Sequence, residues 1–142
     1  MKKFIPLMLG IVAAAGCSSD GHRVDEQSLL DQYFVLSSVD GRAVVQRAGI
    51  RPGIHFAPGM RVSGVMCNRF FGQGQLAQDR LKVPELATTR MPCRDGELNQ
   101  WEQTLSQLLN AGASVALHQQ TLTLSGAGHT LVYQAEQNVE KK

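Results

Sequence analysis

Apolar and polar residues alternate with a period of two over most of this chain, in short runs punctuated by turn residues. Tyr33-Phe34-Val35-Leu36-Ser37-Ser38-Val39 is rich in aromatic and β-branched residues and predicts a strand. Asp40-Gly41 follows, a hairpin signal because both turn positions need positive φ, and Arg42-Ala43-Val44-Val45 predicts the return. Gln46 to Gly53 reads as a loop, and Ile54-His55-Phe56 as a short strand closed by Ala57-Pro58-Gly59. From Met60 to Met66 the alternation puts Met60, Val62, Gly64 and Met66 on one face, Arg61 and Ser63 on the other. A break at Cys67 to Arg69 precedes another strand from Phe70 to Leu76, softened by Gly72 and Gly74. Asp79-Arg80 predicts a turn into Leu81-Lys82-Val83, which Pro84 stops or confines to an edge. Leu86 to Met91 is expected to be extended, because Pro92 disfavours helix in the residue before it.

The period then changes to that of a helix. Leu98, Trp101, Leu105, Leu108 and Leu109 form one apolar stripe, with Asp95 as N-cap, Glu97 in the first turn and Gly112 past the end. Ser114 to Leu117, Thr121 to Leu124 and Thr130 to Tyr133 return to strand character, separated by Gln119-Gln120 and Gly126-Ala127-Gly128. About eight short strands with one late helix predict a mainly β fold: a small antiparallel β-barrel, lipocalin-like or a closed sandwich. The amphipathic helix would pack against it and hide sheet edges.

The first residues follow a different logic. Lys2 and Lys3, an apolar run from Phe4 to Ala15 and the small residues before Cys17 are the parts of a secretory signal peptide. The run is roughly a dozen residues, short of the ~20 that span a bilayer. Ala14-Ala15-Gly16-Cys17 resembles the lipobox of bacterial lipoproteins, which implies lipid attachment at Cys17. Ser18 follows where inner-membrane lipoproteins typically carry Asp, so the resemblance implies the outer membrane, with the domain facing the periplasm. The expected organisation is a signal peptide at 1–16, a lipid-anchored tether at 17–28, one domain at 29–135 and a polar tail at 136–142. Without Lys2 and Lys3 the 14 basic residues fall to match the 12 acidic ones. That balance gives no electrostatic footprint for nucleic acid.

Three cysteines are an odd number for an exported chain, and lipidating Cys17 leaves Cys67 and Cys93 as a pair. Their bridge would close a loop of ~25 residues, worth roughly 3.5 kcal/mol on the chain-entropy account. Two other readings stand beside it: a pair of free thiols, and Cys67 as a nucleophile with a histidine base. His22, His55, His118 and His129 are scattered and show no metal-ligand spacing, so no metal and no cofactor are expected. Asn68 and Arg69 read either as a ligand-binding pair or as a turn-holding Asn beside an Arg that packs its stem. Gly72-Gln73-Gly74 lacks the third glycine and the helix of a phosphate loop.

Phe34 to Gly41, Val62-Ser63-Gly64-Val65-Met66-Cys67-Asn68-Arg69-Phe70, Leu86 to Cys93, and the runs Leu122 to Leu124 and Thr130 to Tyr133 resemble the META domain family. The motif residues are Gly64, Cys67, Asn68, Arg69 and Phe70. The resemblance implies a barrel-like domain on an outer-membrane lipoprotein, a link to envelope or heat stress, and no catalytic residues. The expectation is therefore a non-enzymatic module that supports stress tolerance through contact with an envelope protein. An alternative places an apolar ligand or helix in the barrel mouth, as lipocalin-like or pilotin-like barrels do.

Overall fold

Asp40 and Gly41 both hold positive φ (51° and 81°), and the turn they make pairs Val39 with Arg42. The computed structural model describes residues 24–44 and 51–136, and this hairpin is the first of its sheet. Strand β1 (Tyr33–Val39) is followed by the short β2 (Arg42–Ala43), then β3 (Gly53–Ala57), β4 (Arg61–Val65) and β5 (Arg69–Gln73). After Gly74 come β6 (Gln75–Ala77), β7 (Arg80–Lys82) and β8 (Ala87–Thr88). Helix α2 (Gly96–Ala111) precedes β9 (Ala113–His118), β10 (Thr121–Gly126) and β11 (His129–Ala135). The turn before β7 lies one residue earlier than expected, at Gln78-Asp79, both in left-handed conformation (φ 54° and 61°). No glycine marks it, so the sequence carried a weak signal there.

The strands form one antiparallel sheet in the order β6-β7-β9-β10-β11-β1-β3-β4-β5-β8, with β2 beside β1. The mainly β, barrel-like expectation is met by an open, curled half-barrel with α2 packed against it. Its two ends are nonetheless joined by the chain itself. Strands β5 and β6 are consecutive, divided only by Gly74, yet β5 pairs with β4 near one end and β6 with β7 at the other. The corner is tight: the Gly74 N–H donates to the Met60 carbonyl at 2.8 Å, and a Cβ there would lie 2.8 Å from the same oxygen.

Helix α2 forms as its pattern requires. The Asp95 side chain accepts from the N–H groups of Glu97 and Leu98, and Gly112 (φ 108°) ends the helix by donating to the Leu108 carbonyl. All five stripe residues are buried, in one core with Phe34, Ile54, Phe56, Leu122 and Tyr133 of the sheet. The Phe34 and Phe56 rings meet edge to face at 6.0 Å.

A second helix, α1 (Glu26–Leu29), stands in a stretch read from the sequence as tether. Asp25 and Ser28 cap it reciprocally, side chain to backbone. Val24 and Leu29 are buried, the Val24 N–H donates to Asp79 Oδ1, and Glu26 Oε2 accepts from the Gly59 N–H. Among the described residues, Val24 is thus packed into the domain ahead of Leu29. The leader, Cys17 and His22 lie outside the described residues, as do Val45 to Ile50 and the tail beyond Glu136.

Candidate functional site

The motif around Cys67 is where the sheet, the 89–93 segment and α2 meet. Strand β4 ends at Val65 and β5 starts at Arg69, and the Met66 N–H donates to the Asn68 carbonyl across the turn. Cys67 and Cys93 are joined as a disulfide with Cα atoms 6.0 Å apart. Neither sulfur is a free thiol, so the nucleophile reading has no thiolate to work with in this state.

Asn68 is a buried polar residue. Its Oδ1 accepts from the Met91 N–H at 2.9 Å and from the Thr89 hydroxyl at 3.2 Å, while Nδ2 donates to Glu102 Oε2 at 3.1 Å. The other carboxylate oxygen of Glu102 accepts from the backbone N–H groups of Cys67 (3.0 Å) and Asn68 (2.6 Å). One side chain from α2 therefore neutralises two donors that a tight turn leaves pointing inward. Asn68 does not fold back on its own turn; it ties that turn to two other segments. Glu102 was not singled out in the sequence, because it sits among polar helix residues and its partners are 34 and 35 residues away.

Gly64 and Phe70 face one another across β4 and β5. A Cβ at Gly64 would overlap the Gly53 carbonyl oxygen and lie 2.7 Å from the Phe70 ring, so the bare backbone is what admits the buried Phe70. Arg69 and Arg90 are exposed; the Arg69 N–H donates to the Thr89 hydroxyl oxygen. The motif thus resolves into space-making, a covalent bond and a hydrogen-bond bridge.

The histidines lie elsewhere: His55 in β3, His118 ending β9 and His129 opening β11. Among the described residues no three His, Cys, Asp or Glu side chains gather as a metal site. His129 Nδ1 lies 2.8 Å from Asp40 Oδ2, and Asp40 Oδ1 accepts from the Thr130 N–H at 2.7 Å. The His129 hydrogen bond, aided by that N–H, holds the Asp40 carboxyl below the usual range. This pair borders a cleft of about 270 Å³ that also contains Arg42, Glu97 and Trp101. A larger cleft, about 560 Å³, lies against β3, β4 and β5, lined by Ala57, Arg61, Ser63, Phe71 and Gln73. Inside the core the Tyr133 hydroxyl has no hydrogen-bond partner among the described residues, and burial pushes its pKa up strongly.

The META domain model matches residues 27–138. The chain is 40% identical over 134 residues to Heat shock protein HslJ of Escherichia coli (strain K12), covering 94% of this chain and 95% of that protein. An NMR structure with 41% identity superposes with a TM-score of 0.73, covering 78% of this chain and 94% of the other. An NMR structure of a protein from Burkholderia xenovorans, 24% identical with a TM-score of 0.63, shares the fold over 85% of this chain and 97% of its own.

Proposed function

The chain belongs to the META domain family, and from that premise we propose that it is a non-enzymatic, lipid-anchored protein of the outer membrane that supports the envelope under heat stress. The observation that carries the stress link is the similarity to Heat shock protein HslJ along almost the whole of both chains. The non-enzymatic reading rests on how the motif is used: Gly64, Cys67, Asn68 and Phe70 are engaged in packing, a disulfide and buried hydrogen bonds.

The protein acts through contact with another envelope protein, and β8 is the element that supports this. It is two residues long and, among the described residues, pairs with β5 on one side only. Thr89 donates its N–H toward Arg69, so ladder alternation turns the backbone groups of Thr88 and Arg90 to the open edge. Met91, 67% exposed, stands beside that edge. An extended partner segment that adds to β8 would find both backbone groups and an apolar contact. The alternative of an apolar ligand in the barrel mouth fits less well, because the stripe of α2 already fills the concave side of the sheet.

A photo-crosslinking residue at position 91, in cells before and after heat shock, tests this reading. A discrete adduct that grows with heat supports it. No adduct under either condition counts against the protein contact.

A further inference from the structure

The outer face of the sheet carries a second surface, distinct from the β8 edge. Register places Ala57, Arg61 and Gln73 in one row across β3, β4 and β5, and His55, Ser63 and Phe71 in the next. Directly opposite side chains sit about 5 Å apart and diagonal ones about 7–8 Å, so an Arg61 guanidinium and the Phe71 ring share one cleft. Phe71 is 55% exposed although large and apolar. Among the described residues Arg61 makes no ion pair. Neither row contains a carboxylate, and Arg69 adds a second exposed cation two residues from Phe71 on the same face.

The position of the cleft relative to the N-terminus is the second observation. The Gly59 carbonyl accepts from Gln73 Nε2 at 2.6 Å, and its N–H donates to Glu26 Oε2 at 2.8 Å. One residue therefore links the cleft to α1, and the first described residue, Val24, lies two residues before Glu26. Cys17 is seven residues earlier, a span of at most about 25 Å. A lipid on Cys17 would hold the bilayer at this end of the domain.

We propose that the outer face of β3, β4 and β5 lies against an anionic phospholipid bilayer, with Arg61 on headgroup phosphate and Phe71 at the acyl boundary. The proposal rests on the lipid-anchored reading for where the bilayer lies, and on the face itself for the chemistry. Cations beside an exposed aromatic, in rows that hold no carboxylate, suit an anionic interface better than a neutral one. Two arginines and one ring bind weakly by themselves. Their effect is orientation: once the chain is anchored, effective concentration makes the contact persistent, and the opposite side of the domain is turned outward.

The test uses the chain from Ser18 onward, which carries no acylated cysteine and retains every described element. It is mixed with phosphatidylglycerol or phosphatidylcholine vesicles at high lipid. Co-sedimentation with the anionic vesicles alone, weakened by salt, is the expected result. Arg61→Glu should reduce affinity at least about fivefold, the loss expected for one surface cation. Arg94→Glu, an exposed cation outside both rows, should leave it unchanged. In Phe71→Trp the added tryptophan emission should shift to the blue with anionic vesicles only. Equal binding to both lipids, equal loss in the Arg61 and Arg94 variants, or no spectral shift would overturn the proposal. So would a dimer that Arg61→Glu dissociates, or binding to an acidic peptide without any response to vesicles. Acylation is read separately, from the mass of the chain extracted from membranes. An unmodified Cys17 with vesicle binding intact would sink the anchor and leave this face standing; the reverse would sink the face alone.

Discussion

Gly64 stands directly opposite Phe70, and the missing side chain of the first is the space into which the ring of the second fits. Gly64→Ala should cost about 3 kcal/mol, because the new methyl meets both the Phe70 ring and the Gly53 carbonyl. Chemical denaturation measures it. Adding Phe70→Leu should not restore stability, since the contact with the Gly53 backbone remains. Recovery in the double variant would show that the ring alone required the glycine.

The disulfide and Glu102 hold the same turn by different means. Replacing Cys93 with Ser should lower stability by about 3.5 kcal/mol. Glu102→Ala should cost about 2 kcal/mol, for it strands the Cys67 and Asn68 N–H groups and one amide donor of Asn68. Combined, the two should be coupled rather than additive, because each loosens the turn on which the other acts. A double-mutant cycle in denaturant reads that coupling; strict additivity would mean that the two restraints are independent.

Tyr133 offers a stabilising change. Its hydroxyl is buried without a hydrogen-bond partner among the described residues, a cost that Phe removes at nearly unchanged volume. Tyr133→Phe should raise stability by about 1 kcal/mol. A loss of stability of that size would reveal a partner for the hydroxyl.

The Asp40–His129 pair makes part of the stability pH-dependent. The Asp40 pKa is lowered in the folded state, chiefly by the His129 hydrogen bond and then by the Thr130 N–H. The folded chain thus binds fewer protons than the unfolded one while Asp40 titrates, and the contribution is fully present above the ordinary Asp range. It disappears as pH falls through the depressed value, below about pH 4. The side chains are 42% and 43% exposed, so the effect is modest. Asp40→Asn keeps a residue that tolerates the left-handed turn; it should lower the midpoint at neutral pH and flatten the acid limb of a stability–pH profile. Parallel profiles for the two proteins would exclude the pair from the acid response.

Local patterns in the chain foretold local structure well. The Asp40-Gly41 hairpin, the alternation from Met60 to Met66 and the five-residue stripe of α2 all stand as their periodicities predict. Each is decided by neighbours within a few positions. The Cys67–Cys93 bond was also legible, because setting Cys17 aside for the expected lipidation leaves one pair of cysteines. The Glu102 bridge was not. A carboxylate on a helix flank looks solvated until the fold brings a turn 34 residues away beneath it. The capping pair Asp25 and Ser28 was present in the sequence, but a mostly polar flank concealed that Val24 and Leu29 are buried.

The corner at Gly74 sets how the domain comes apart. In an open sheet the outermost strands ordinarily fray first, one edge at a time, leaving the middle intact. Here a single uninterrupted segment supplies the outermost strand β6 at one extremity and β5, inside only the two-residue β8, at the other, so loosening either one pulls on the other. Beyond the release of β8, partial melting from an edge has no easy starting point, and a domain this small is left to lose its structure in a single cooperative step.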